Sequence, residues 1–254
     1  MTRKLKIVTT SWDDGDVRDL RIAEMLAAHG MTGTFYVPIE PFNGNPSLSV
    51  SQMRSMIAGG FEIGGHTINH EILTEVPVKD LDYIVTTCKK IHEDNLGERL
   101  RMFCYPRGRY TPHAVAALEK AGYEGARTVR LLATETTYGL FDLPTSIQVY
   151  RHTRSEYLRN IGRARAVGRL FDYIGPLGFG DNWIELGKKL FDRVLEDGGV
   201  WHLWGHSWEI DEMGLWDEMR EMLDYVAGRD DVVYLNNGDM VQRLMQKPSS
   251  LAVA

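Results

Sequence analysis

Short β-like runs and helical patterns alternate along this chain almost from end to end. That alternation narrows the folds open to it more than any other feature. Strand-like runs fall at residues 6–10, 32–37, 61–64, 101–105, 122–127, 146–151, 199–204 and 232–235. Helical patterns at 17–29, 50–58, 79–95, 112–121, 183–196 and 216–227 occupy most of the intervals. In the first of these, Leu20, Ala23, Leu26 and Ala27 recur at helical spacing, and Gly30 stops the helix. Strands alternating with helices predict a parallel sheet covered by helices. About eight such units favour a barrel or barrel-like sheet over an open doubly wound one. No glycine-rich dinucleotide fingerprint or phosphate loop follows the first strand, which argues the same way.

At 254 residues the chain has the size at which α/β barrels run as one unit, so residues 1–254 are expected to form a single domain. No repeat, low-complexity tract or proline- or serine-rich linker divides it. The irregular stretch at 151–181 carries Arg151, Arg154, Arg159, Arg163, Arg165 and Arg169, then a glycine-rich run from Gly175 to Gly180, and reads as an insertion or extended loop. A formal net charge of -6 gives no support for a general nucleic-acid binder, which carries a basic excess. The basic N-terminus lacks the apolar stretch of a signal peptide, and no apolar run reaches the length of a membrane span. Two cysteines, Cys88 and Cys104, imply no disulfide framework. Together these features lead to the expectation of a cytoplasmic protein.

The polar residues of interest fall where strands end, the face on which barrel enzymes build their sites. Asp13 and Asp14 end the first strand, and Gly15 lets the chain turn. Adjacent strand residues point to opposite sides, so two consecutive carboxylates share one site only where the strand is already breaking. The plainer reading is a pair of turn or N-cap aspartates before the first helix. The third strand runs into His66-Thr67-Ile68-Asn69-His70. Histidines at this spacing share one face if the segment is helical, so both imidazoles can reach one metal ion. Their plainer reading is a pair of surface or capping residues. Two histidines and one carboxylate make a three-ligand set with an open position, as catalytic metal sites require. In the seventh strand, His202 reads as a buried, hydrogen-bonded histidine, whereas His206 lies at the strand end and is the better site residue. Trp204 and Trp208 suit either stacking on a sugar ring or core packing.

In order and spacing these motifs resemble the polysaccharide deacetylase family, also called the NodB homology domain and carbohydrate esterase family 4. Trp12-Asp13-Asp14-Gly15 is similar to its first motif and His66 to His70 to its second; Phe103 to Gly108 and Leu203 to His206 are similar to later ones. The resemblance implies a distorted (β/α) barrel of seven or eight strands and one divalent metal, commonly zinc, with cobalt or nickel as alternatives. It implies that Asp14, His66 and His70 bind the metal, that Asp13 is the general base and that His206 is the general acid. The peptide N–H of Arg107, after Pro106, would help bind the oxyanion, with Tyr105 and Trp208 also at the substrate. The reaction implied is hydrolysis of an N-acyl group, N-acetyl foremost, from an amino sugar or glycan.

Two departures from the family pattern stand out. The third motif has Cys104 where an arginine ordinarily steadies the base, leaving Arg101, Arg107 or Arg109 as substitutes. The fourth lacks its usual aspartate before tryptophan, so Asp181 or Glu209 is left to tune His206. The arginine-bearing stretch suits phosphate recognition and points to a small, phosphate- or carrier-linked sugar. Its plainer reading is a solvated basic helix face, with Glu156 and Asp172 as partners. Deformylation or cyclic-amide hydrolysis on the same fold, and a non-catalytic sugar-binding protein retaining a structural metal, are the competing functions.

Overall fold

The computed structural model describes residues 4–246. Eight strands form one parallel sheet: β1 (Lys6–Asp13), β2 (Thr34–Val37), β3 (Glu62–Gly65), β4 (Met102–Cys104), β5 (Gly125–Arg127), β6 (Ile147–Gln148), β7 (Gly199–Gly205) and β8 (Val233–Leu235). Their order is β5-β4-β3-β2-β1-β7-β6, and β8 pairs with the start of β1 beside Ile7 to Thr9. The edge strands β5 and β6 are bridged by the segment between them. Leu143 N donates to Ala126, Thr128 N donates to Leu143, and Ser146 N donates to His202 of β7. The result is a distorted barrel.

Around the sheet lie α1 (Asp19–Ala28), α2 (Val50–Ala58), α3 (Val78–Leu96), α4 (Pro112–Ala121), α5 (Arg154–Arg163), α6 (Val167–Ile174), α7 (Trp183–Asp197), α8 (Ser207–Met213), α9 (Trp216–Val226) and α10 (Asn237–Met245). Among the described residues no helix is long and apolar enough to cross a membrane. The stretch at 151–181, expected as an insertion or loop, is largely helical. Thr153 caps α5 with a reciprocal bond to Glu156, and Arg169 of α6 is buried, donating to the Leu131 carbonyl and to Tyr138.

Strand register divides the side chains into two faces, because successive residues alternate and paired residues align. Val8, Trp12, Phe35, Ile63 and Phe103 join Ile22, Leu26, Val85 and Leu190 of the helices in the main apolar core. The opposite parity carries Thr9, Ser11, Asp13, Thr34, Tyr36, Glu62, Cys104, Arg127, His202 and Trp204, all buried. The barrel interior is therefore unusually polar, and its polar groups need partners. His202 finds one in the Ser11 hydroxyl at 2.8 Å, in keeping with its reading as a buried, bonded histidine.

Candidate active site

Two carboxylates reach one site because β1 breaks between them. Asp13 ends the strand on its inner face, while Asp14 takes a left-handed φ of 77° and leaves the pleat. Gly15 follows at φ 63°, where a Cβ would stand 2.6 Å from Val37 Cγ1, so only glycine completes the turn. Asp14, Thr67, His70 and Arg107 all hold positive φ, so backbone strain gathers at the three sequence motifs.

The segment from His66 to His70 is a loop and not the helical turn considered from spacing. Glu71 locks it: its carboxylate accepts from Ile68 N at 3.1 Å and Asn69 N at 2.8 Å, while Glu71 N donates to Thr67 Oγ1. This turn still brings the imidazoles together, with ring centroids 4.9 Å apart. His66 Nε2 and His70 Nε2 stand 3.5 and 3.4 Å from Asp14 Oδ1. These separations exceed ordinary hydrogen bonds, and no donor satisfies that buried oxygen. His66 donates from Nδ1 to the Cys104 carbonyl at 2.9 Å, which turns its other nitrogen toward Asp14. Burial, reinforced by the neighbouring His66, pushes His70 down to about 4, so its ring is neutral at ordinary pH. Burial opposes ionisation of Asp14, but His66, the cationic His206 and the Trp208 N–H outweigh it and hold the carboxyl well below its usual range. An ionised carboxylate with an orphaned buried oxygen beside two imidazole nitrogens fits a divalent cation.

A second group of possible ligands, Asp13, His66 and Cys104, shares His66 with the first. It fits less well. Asp13 is already engaged by Arg127, and burial pushes the Cys104 thiol well up, so it stays protonated. Cys104 Sγ instead donates to Asp13 Oδ2 at 3.5 Å.

The arginine that holds Asp13 is Arg127, at the end of β5. It is fully buried, pairs with Asp13 Oδ1, and lies 4.7 Å from the Trp204 ring and 5.3 Å from the Tyr36 ring. None of the substitutes considered from sequence takes this place. Arg101 pairs with Asp239 and Glu62, Arg109 pairs with Glu75, and Arg107 is exposed. The signal for Arg127 was an arginine closing a short apolar strand at the barrel's C-terminal face.

His206 donates from Nδ1 to Glu209 Oε2 at 2.6 Å and presents Nε2 3.8 Å from Asp14 Oδ2. Burial favours its neutral form, but the bond to Glu209 and the Asp14 charge prevail and lift it to about 9. Asp181 does not share this task; it pairs with Arg154 at 3.6 Å, both side chains more than half exposed. Trp208 donates its indole N–H to Asp14 Oδ2 at 3.0 Å and tilts against the His206 ring, so it positions a carboxylate as well as lining the site. Tyr105 differs from expectation. Its ring is fully buried, its hydroxyl donates to the Phe141 carbonyl, and its N–H donates to the Arg127 carbonyl, so neither donor is left for a substrate. Pro106 starts a single turn that carries Arg107 at φ 56°.

Residues 1–126 match the family model described as polysaccharide deacetylase. The Bacillus subtilis (strain 168) protein YxkH, named as a polysaccharide deacetylase, is 27% identical over 139 residues, covering 54% of this chain and 50% of its own. The chain thus spans about half the length of that curated relative. A Mycobacterium smegmatis protein of the same family name superposes with a TM-score of 0.69 over 96% of this chain and 91% of its own, at 16% identity. BA3943 of Bacillus anthracis, described as a CE4 family pseudoenzyme, gives a TM-score of 0.53 over 94% and 66%, at 13% identity. At such identities the two structures show the common distorted barrel alone.

Proposed function

Because the chain belongs to the polysaccharide deacetylase family, we propose that it is a metal-dependent hydrolase that removes an N-acyl group, N-acetyl foremost, from an amino sugar or glycan. In this reading residues 1–254 act as one catalytic unit. The observation that carries it is the buried Asp14 Oδ1, orphaned within 3.5 Å of two imidazole nitrogens.

Asp14, His66 and His70 would hold a divalent cation, zinc foremost. Such a cation supplies Lewis-acid polarisation of an amide carbonyl and makes hydroxide accessible near neutral pH. The chain's own residues supply the proton traffic. Asp13, fixed by Arg127, takes the proton of the attacking water. His206, kept protonated by Glu209, delivers a proton to the departing amine nitrogen, without which an amide does not expel its amine. The Arg107 peptide N–H, at its left-handed turn, serves the oxyanion that develops on the carbonyl.

The test is amine release from acetylated, formylated and cyclic-amide substrates, using metal-free protein before and after zinc is added. Activity should depend on metal and fall by about a hundredfold or more in Asp13→Asn and His66→Ala. The preferred substrate separates deacetylation from deformylation and ring opening. Zinc binding with no amine released from any substrate would replace the hydrolase with a sugar-binding protein. Absence of zinc binding would refute the ligand assignment itself.

A further inference from the structure

Beside the His206–Glu209 pair lies a cleft of about 210 Å³, walled by α5 on one side and by Trp204 and Gln148 on the other. Arg159 and Arg163 line it from the same face of α5, one helical turn apart. The other arginines of this stretch with assigned partners have structural work. Arg151 pairs with Glu218, Arg154 pairs with Asp181, and Arg169 is buried against Leu131. Among the described residues neither Arg159 nor Arg163 has a carboxylate at ion-pair distance. The expected partners are occupied elsewhere: Asp172 pairs with Arg193, and Glu156 caps Thr153. Glu156, at the rim, is the one acidic side chain lining the cleft, so two guanidinium groups face a single carboxylate.

The wall behind the cleft also holds buried polar atoms without a hydrogen-bond partner. The Trp204 indole N–H is buried without a partner, although the residue is only 5% exposed. His152 Nδ1, in the same wall, is likewise unsatisfied. Two side chains connect the cleft to the chemistry. The Trp204 ring lies 5.5 Å from the His206 ring, and Gln148 donates to Glu209 Oε2 at 3.2 Å, the oxygen that also holds His206.

From this we propose that the cleft is a subsite for an anionic group, a phosphate or carboxylate, carried by the amine-bearing part of the substrate. Arg159 and Arg163 grip the oxyanion, and the Trp204 side chain forms the wall opposite them. A planar guanidinium matches either group with paired donors. The position next to His206 places the anion on the leaving-group side of the scissile amide. This rests on the hydrolase reading above for its substrate, but the site itself is defined by binding.

Binding to metal-free protein is measured by calorimetry for N-acetylglucosamine, its 1- and 6-phosphates, and N-acetylmuramic acid as the carboxylate form. At least one anionic sugar should bind tenfold or more tighter than the neutral one, and the better of the two chemistries identifies the anion. In Arg159→Ala/Arg163→Ala that preference should fall to within twofold, and Arg159→Lys/Arg163→Lys should restore part of it. Equal binding of neutral and anionic sugars, or a preference that survives the double alanine variant, overturns the subsite. Anion preference without amine release from the zinc-loaded protein would leave the subsite standing and remove the hydrolase reading. Metal-dependent release with no anion preference would do the reverse.

Discussion

Arg127 shows how one side chain can serve stability and chemistry together. Its guanidinium and the Asp13 carboxylate are both withdrawn from water, so each is tolerated only because of the other. Arg127→Met, which keeps the bulk but not the charge, strands Asp13 and should cost about 3–5 kcal/mol in urea denaturation. Asp13→Asn/Arg127→Met should be more stable than Arg127→Met alone, since it removes the stranded charge; a less stable double variant would sink the pairing argument. His206 permits a second test. Its folded value of about 9 lies above the ordinary 6.5, so protonation favours the folded state. In metal-free protein that stabilisation is complete below about pH 6.5 and is lost as pH rises through about 9. Glu209→Gln removes the largest raising influence, so the loss should move to lower pH. Denaturation from about pH 6 to about pH 10 measures it, and identical pH slopes for the two proteins would exclude the role given to Glu209.

Among elements, what could be read from sequence was what repeats. The apolar periods of α1, α3 and α7 and the β-rich runs of β1, β2 and β7 carry their own signals, and the parallel sheet follows from their alternation. Elements fixed by contacts instead of pattern were harder to read. α8 is short and starts directly from the His206 turn; α10 follows β8 after a single residue, with Asn236 accepting from Asp239 N as its cap. The capping box from Thr153 to Glu156 was present in the sequence as a threonine followed three residues later by glutamate, and it marks the start of α5 within the stretch read as a loop. The ligand turn was legible as residue types but not as shape. Two histidines at helical spacing gave no hint that Glu71 would fold the chain into a loop around Thr67. Arg127 was the hardest to find, because its side chain meets Asp13 across the barrel interior from a strand four places away in the sheet, and spacing reports only local neighbours.

At the scale of the molecule, the polar barrel interior is resolved differently at its two ends. The C-terminal end gathers Asp13, Arg127 and Asp14 around groups left available for chemistry. The other end is closed by α10, whose first residues complete a hydrogen-bond network. Asn237 accepts from Tyr36 Oη at 2.8 Å, donates to Thr9 Oγ1 at 2.7 Å, and donates through its backbone to Thr34 Oγ1; Thr34 in turn donates to Glu62, which also accepts from Gly238 N. Such a network ties β1, β2 and β3 to the last helix and pins the strands whose far ends carry the site. Asn237→Ala orphans the Tyr36 and Thr9 hydroxyls, and at about 1–3 kcal/mol for each unsatisfied group it should lower stability by roughly 2–6 kcal/mol. The damage lies at the opposite end from Asp14, so zinc affinity of the folded fraction should stay within about twofold, a shift well below 1 kcal/mol. Urea denaturation paired with zinc titration separates the two quantities. A large loss of zinc affinity in the still-folded variant would mean that the ends are mechanically coupled, and that the network positions the ligands as well as holding the barrel shut.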